Sequence, residues 1–160
     1  MKMCIFGFNK MTELKLHVKT WDQLDLDTWY AISRLRNAVF VVEQDCVYQD
    51  LDGVDSRSKH VYLTDSEQHI AAYARIVPKG LIYPEHSIGR VLVDDQNRGR
   101  QLGRRLMKAC MEVVEKELPG SPIRISAQVY LTVFYESLGF IKQGDSYLED
   151  GIPHIEMLKK

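Results

Sequence analysis

The sequence predicts a mixed α/β fold in which helices pack against one sheet. Three observations carry this prediction: short segments in which apolar and polar residues alternate, two longer segments with apolar residues at helical spacing, and short turns between successive strands. The predicted order of elements is β-α-β-β-β-α-β-α-β-β. Hairpins give antiparallel strand pairs and a helical crossover gives a parallel pair, so the sheet should be mixed.

The first predicted elements are a strand, a helix and a polar loop. Alternation over residues 13–19 predicts a strand with one buried face. Asp27 is the predicted N-cap of a helix that runs to about residue 40, because its carboxylate can accept hydrogen bonds from the amides of a first turn. The apolar residues at helical spacing there are Trp29, Ile32, Leu35 and Val39. Residues 45–59 are predicted to be the polar loop.

Three strands and the clearest helix of the sequence come next. The strands are predicted at 60–64, 70–77 and 87–93. The helix begins after a glycine-containing segment and has one apolar and one charged face. Its apolar stripe consists of Leu102, Leu106, Ala109, Cys110, Val113 and Val114. Pro119-Gly120 is expected to end it.

The last predicted elements are a strand, a short helix and two strands. The strand covers residues 123–127, and the helix covers residues 132–138 and is closed by Gly139. The two final strands are predicted at 140–143 and 154–158.

Composition narrows the range of functions. The net charge of −1 gives no electrostatic footprint for nucleic acid or for an anionic membrane, and no apolar run approaches the roughly 20 residues of a membrane span. The three cysteines, Cys4, Cys46 and Cys110, are far apart, which argues against a disulfide scaffold or a structural metal site. They suit a reducing cytoplasm, so we expect a cytoplasmic protein without a metal. We expect residues 1–11 to be an N-terminal extension or to contain an alternative start at Met11, and residues 12–160 to form a single domain.

One segment has the composition of an anion-binding turn. The strand at 87–93 is followed by Arg98-Gly99-Arg100-Gln101-Leu102-Gly103 and then by the amphipathic helix. Backbone amides at a helix start, together with the helix dipole, bind phosphate groups. The segment matches neither the Walker pattern nor the dinucleotide fingerprint. An ordinary loop that enters a surface helix with a solvated basic face stays open as the alternative.

Tyr135 lies in the short helix between two strands and has two interpretations. A lone tyrosine in such a helix is usually part of the core. Its phenol is also suited to protonating a departing thiolate when it lies at a cleft.

Taken together, these segments resemble the GNAT superfamily of N-acetyltransferases and, within it, the ElaA-like family of small bacterial proteins. The resemblance covers the chain from about Leu14 to the C-terminus. Beyond the glycine loop and the tyrosine helix, it rests on four blocks in the same order: residues 36–44, 48–53, 89–91 and 150–154. It implies the GNAT (acyl-CoA N-acyltransferase) fold, a mostly antiparallel mixed sheet with a splayed central strand pair, flanked by helices.

The resemblance also implies an acetyl-CoA site. The fourth strand would pair with the pantetheine arm through Val91, Leu92 and Val93. The loop would hold the pyrophosphate through Arg98, Gly99, Arg100, Gln101, Leu102, Gly103 and Arg104. Tyr135 would be the general acid to the CoA thiolate, and Gln128 would take the place of a polar CoA contact.

One residue departs from the family motif. Gln101 replaces its central glycine, and we expect it in the first helical turn with its side chain toward solvent and its N–H toward phosphate.

The sequence gives less specific signals for the residues that would bind and deprotonate the acceptor amine. An attacking amine must lose a proton, and Glu43 is the candidate base, with a solvated loop carboxylate as the alternative. Tyr48 and Asp50 are candidate substrate contacts. Arg36 either binds an acceptor carboxylate or pairs with a loop aspartate for structure.

The expected function is transfer of an acetyl group from acetyl-CoA to a primary amine of a small molecule or peptide. An acyl-homoserine-lactone-synthase-like transfer and a non-catalytic CoA-binding module are the alternatives. No nucleic-acid or membrane partner is expected, and a homodimer is the default oligomer.

Overall fold

A computed structural model describes residues 13–160 and shows one seven-stranded sheet with helices on both faces. The strands are β1 (Lys15–Thr20), β2 (Lys59–Thr64), β3 (Ile70–Val77), β4 (His86–Val93), β5 (Ile123–Gln128), β6 (Ile141–Glu149) and β7 (Ile152–Lys159). Their order is β1-β2-β3-β4-β5-β7-β6. Among these seven described strands, only β4 and β5 pair in parallel, which confirms the predicted mixed and mostly antiparallel sheet. The predicted extension at residues 1–11 lies outside the described residues.

Within residues 13–160, three α-helices connect these strands. They are α1 (Leu26–Arg36), α2 (Leu102–Glu117) and α3 (Thr132–Glu136). α1 continues directly into wider π-helical turns over Asn37–Glu43. None of the helices within residues 13–160 is long and apolar enough to span a membrane.

The N-cap of α1 differs from the sequence prediction. Asp25, and not Asp27, caps the helix: its carboxylate accepts from the Thr28 amide at 2.7 Å and from the Thr28 hydroxyl at 2.8 Å. Asp27 lies in the first turn, where its negative charge still favours the helix dipole.

Each face of the sheet has its own apolar cluster. The larger one lies under α2 and includes Leu106, Met107 and Cys110, none of which has measurable exposure. The smaller one lies under α1, where Ile32 packs with Tyr73 of β3. The helical stripe predicted for α2 is therefore its buried face, and the sheet is covered on both sides.

A bulge in β4 and a short β4–β5 ladder shape the middle of the sheet. Arg90 and Val91 together oppose the single residue Ala74 of β3, and Arg90 has a φ of 53°, in the left-handed region. β4 pairs with β5 only at His86 and Ser87, although both strands continue well beyond that point. The two strands therefore diverge and leave two unpaired edges facing each other.

Candidate functional site

The gap between β4 and β5 is a cleft of about 750 Å³. Val91, Leu92 and Val93 line one wall, and Ser126 and Gln128 line the other. An extended ligand can hydrogen-bond to an unpaired strand edge in the manner of an added strand. The predicted pantetheine-binding residues are thus on a free edge of the kind that such pairing requires.

The N-terminus of α2 presents free backbone amides beside this cleft. The first intrahelical bond runs from the Arg105 amide to the Gln101 carbonyl at 3.1 Å, and no side chain caps the amides before it. An α-helix leaves its first amides without intrahelical acceptors, and its dipole places partial positive charge there. The turn before α2 has the properties of an anion-binding site.

The sequence predicts Gln101 in the first helical turn of α2, but in the structure this residue lies just before that turn. It is the N-cap residue of α2, with φ 57° and ψ 22° in the left-handed region. Glycine enters this region without a steric cost, whereas other residues lose about 1–2 kcal/mol there. The position therefore favours glycine, and in this chain Gln adopts the same backbone conformation with its side chain exposed.

Gly103 lies where α2 approaches both β4 and α3. A Cβ atom at this position would be 3.8 Å from the Phe134 ring and 3.8 Å from a Val93 methyl group, which is ordinary van der Waals contact. Alanine therefore fits at position 103, whereas a longer side chain would extend into the space beside the free amides.

The other charged residues of the loop are held by neighbouring side chains. Arg104 donates to the Ser137 hydroxyl at 2.7 Å and stacks on the Phe134 ring, and Arg100 donates to Asn97 at 2.7 Å. Gly99 takes a φ of 77° in the turn before them. These contacts order the turn that precedes α2.

Tyr135 reaches the cleft from the side of the larger apolar cluster. Its ring packs edge-on against Phe134 and Phe140, and it is 7% exposed while lining the cleft. Burial raises the pKa of the Tyr135 hydroxyl to about 12. The phenol is therefore neutral at physiological pH and is available as a hydrogen-bond donor.

Glu43 lines the cleft but is bonded to a loop arginine. Arg98 donates to its carboxylate at 2.7 Å, and both side chains are close to half exposed. This hydrogen bond lowers the pKa of Glu43 below its usual value, which makes the carboxylate a weaker proton acceptor. Two residues predicted for different roles thus form one ion pair at the mouth of the cleft.

Gln128 lies at the end of β5, and its amide donates to the Gln44 side chain at 3.3 Å. This contact joins the second wall of the cleft to the π-helical end of α1. Tyr48 also lines the cleft, with its ring under the Arg90 guanidinium at 5.7 Å.

Arg36 and Asp50, both predicted substrate contacts, are buried in a charged network. Arg36 has no exposed surface and donates to Asp50 at 2.8 Å and to Asp55 at 2.6 Å. Asp50 is 7% exposed and also accepts from Arg90 at 2.7 Å and from the Tyr48 hydroxyl at 2.9 Å. Neither side chain lines the cleft, so this geometry matches the structural alternative for Arg36.

The network extends to β3 through Arg75. Its guanidinium donates to both carboxylate oxygens of Asp52 at 2.7 Å and to Asp55 at 3.0 Å. Burial alone would raise the pKa of Asp52, but Arg75 outweighs it and lowers this pKa to about 2. Because Arg90 is in the β4 bulge, the network fixes the loop before β2 to the strand that forms the cleft wall.

The sequence predicts no role in the cleft for several of its lining residues, among them Ser126 and Glu149. Ser126 and Glu149 both line the cleft, and the Ser126 hydroxyl donates to the Glu149 carboxylate at 3.0 Å. They are far apart in the sequence, and neither belongs to a motif, so only the strand order brings them together.

Comparison with known proteins assigns the class that this fold and cleft define. The family model described as an acetyltransferase (GNAT) domain matches residues 29–160. The chain therefore belongs to the GNAT family of acyltransferases, whose members use acyl-CoA.

Individual members of this family are similar to this chain over most of its length. The protein ElaA of Escherichia coli is 41% identical over 140 residues, which cover 86% of this chain and 91% of that protein. Its crystal structure aligns with a TM-score of 0.87 over 92% of this chain and 100% of that one. The crystal structure of an acyl-CoA N-acyltransferase from Pseudomonas aeruginosa aligns with a TM-score of 0.88 and 35% identity, over 92% of this chain and 100% of that one.

Proposed function

We propose that this protein transfers an acetyl group from acetyl-CoA directly to a primary amine of a small molecule or peptide. The observation that carries the proposal is the opening between β4 and β5, which has a free strand edge on one side and a buried tyrosine in its lining. The uncapped N-terminus of α2 lies beside it and suits the pyrophosphate. Acetyl-CoA is a cosubstrate in this scheme.

Different residues of this chain would bind different parts of acetyl-CoA. Val91, Leu92 and Val93 would pair with the pantetheine arm. The turn from Gly99 to Arg104 would bind the pyrophosphate through its backbone amides, with Arg98 exchanging Glu43 for a phosphate oxygen. An exposed ion pair of this kind contributes only about 0–1 kcal/mol, so it is readily exchanged.

Tyr135 would act on the leaving group. A thiol has a pKa of about 8.5, and a phenol with a pKa of about 12 is the weaker acid of the two. Hydrogen bonding by the neutral phenol therefore stabilises the developing thiolate. The desolvation that raises the phenol pKa also disfavours a buried thiolate and raises the thiol pKa, so the proton can move as the C–S bond breaks. The buried position of Tyr135 excludes water and strengthens this hydrogen bond.

Tyr135→Phe tests this assignment. We expect kcat to fall by about 100-fold or more, because one donor to the leaving group is lost. The affinity for acetyl-CoA should stay within about threefold, since the ring packing is kept. CoA release with a panel of four primary amines (ethanolamine, 1,6-diaminohexane, lysine amide and glycinamide) measures kcat, and calorimetry measures the affinity.

Tyr30→Phe is the control for loss of a phenol away from the cleft, because Tyr30 is 69% exposed on α1. Tyr30→Phe should leave both kcat and the affinity for acetyl-CoA unchanged. Equal losses of kcat and of affinity in Tyr135→Phe would show a packing role instead and would contradict the proposed acid.

A further inference from the structure

We propose that Glu149 takes the proton of the acceptor amine through the hydroxyl of Ser126, with Tyr147 fixing the direction of this relay. The inference rests on the proposed acetyl transfer and adds the proton acceptor to it. Ser126 is on β5, Tyr147 and Glu149 are on β6, and β7 lies between the two strands. The Ser126 hydroxyl oxygen is 2.7 Å from the Tyr147 hydroxyl and 3.0 Å from the Glu149 carboxylate.

The direction of the hydrogen bonds follows from the chemistry of the three groups. An ionised carboxylate only accepts, so the single proton of the Ser126 hydroxyl points to Glu149. Tyr147 must then donate to Ser126. A hydroxyl oxygen has two lone pairs, and Tyr147 occupies one of them. The second lone pair of the Ser126 oxygen remains free to accept from an N–H group of an acceptor amine. This oxygen is polarised by the hydrogen bonds to Tyr147 and to Glu149.

Ser126 also lies on the appropriate face of the sheet. The side chains of β5 alternate, and Ile123, Ile125 and Ala127 point into the larger apolar cluster, to which Tyr135 also belongs. Ser126 therefore points to the opposite face. A thioester between β4 and β5 would have the proton donor for its sulfur on one side and the proton acceptor for the attacking nitrogen on the other.

Glu149 differs from the other glutamates near this wall. Glu43 is bonded to Arg98, and Glu85 and Glu156 are both bonded to Arg124. Within residues 13–160, no cationic side chain forms an ion pair with Glu149. Its contact is with the Ser126 hydroxyl, so among the described residues no ion pair has to break before this carboxylate accepts a proton.

The step balances as follows. The acceptor nitrogen attacks the carbonyl carbon of the thioester, a C–N bond forms, and the nitrogen becomes positively charged and acidic. Its proton moves to Ser126 Oγ while the Ser126 hydroxyl proton moves to the carboxylate of Glu149. The C–S bond breaks, the sulfur leaves with the electron pair, and it receives the proton of Tyr135. Solvent then returns a proton to Tyr135 and takes one from Glu149.

Glu149→Gln is the first test, measured as CoA release with the same panel of four amines. We expect Glu149→Gln to lower kcat by about 100-fold and Ser126→Ala to lower kcat by about tenfold or more. The affinity of both variants for acetyl-CoA, measured by calorimetry, should equal that of the wild type. Glu156→Gln is the matched control, because it removes the same charge from the cross-strand neighbour of Ser126 on β7, whose carboxylate is bonded to Arg124 and not to the Ser126 hydroxyl. It should stay within about twofold of the wild-type rate.

Chemical rescue separates proton transfer from a structural role. Sodium formate should raise the rate of Glu149→Ala by about tenfold, because a small carboxylate can replace the missing one, and should not affect Tyr135→Phe. Wild-type activity in Glu149→Gln, or an equal loss in Glu156→Gln, or no rescue by formate, would overturn the relay. No CoA release by the wild type with any of the four amines would instead overturn the proposed acetyl transfer.

Discussion

Asp50→Ala should lower the free energy of unfolding by about 3–5 kcal/mol, the range for breaking a buried ion pair from one side. Asp50 is 7% exposed and accepts from Arg36, Arg90 and Tyr48. Its removal leaves the Arg36 guanidinium, which has no exposed surface, with only Asp55 as an anionic partner. The cost comes from the buried charge that loses its partner, and not from the attraction of a surface pair.

Denaturant unfolding measures this loss, with Asp145→Ala as the control. Asp145 is an exposed aspartate of β6, so its replacement should change stability by no more than about 0.5 kcal/mol. A second variant tests the bulge in β4. Asp50→Asn keeps the size of the side chain but weakens its ion pair with Arg90 of the bulge. Because the bulge shapes the strand that lines the cleft, the affinity for acetyl-CoA should also fall. If Asp50→Ala unfolded at the wild-type denaturant concentration, the network would not be what fixes this loop.

Gly103→Glu should weaken acetyl-CoA binding by about 100-fold or more, which corresponds to about 2.7 kcal/mol. The substitution places a carboxylate beside the free amides of α2, where the pyrophosphate would lie. Two like charges about 4 Å apart repel by about 4 kcal/mol in a partly exposed site, so even an imperfect geometry gives this loss.

Gly103→Ala is the matched control for this substitution. Its Cβ would meet Phe134 and Val93 at 3.8 Å, so the fold should accept it. We expect this variant to bind acetyl-CoA within about threefold of the wild type. Calorimetric titration of both variants, each checked by its melting temperature, distinguishes charge from steric disruption. Unchanged affinity in a folded Gly103→Glu protein would place the pyrophosphate site elsewhere.

The sequence predicts the order of the elements because this order depends on local patterns, whereas the place of the cleft follows from the resemblance to the GNAT superfamily. The apolar stripe of α2 is a periodic signal, and it is the buried face in the structure. β6 gives a weaker signal, since nearly all of its side chains are exposed and no alternation marks its length. It was predicted to end at residue 143, but pairing with β7 extends it to Glu149.

Other features depend on geometry that no sequence pattern contains. The left-handed backbone at Gln101 is a property of the turn, and a glutamine there gives no sign of it. The N-cap of α1 was assigned to the wrong one of two aspartates, because only the structure shows which carboxylate meets the Thr28 amide. The contact of Ser126 with Glu149 spans 23 positions and depends on β7 lying between β5 and β6.

The proposed acetyl transfer requires that the opening between β4 and β5 binds acetyl-CoA. A calorimetric titration of the wild-type protein with acetyl-CoA, beside one with free CoA, tests it most directly. We expect binding at micromolar concentration, or about −8 kcal/mol, for both ligands, because the pyrophosphate and the pantetheine arm would provide most of the contacts. No heat of binding at millimolar acetyl-CoA would contradict it, and both the proposed acetyl transfer and the relay through Ser126 would be abandoned.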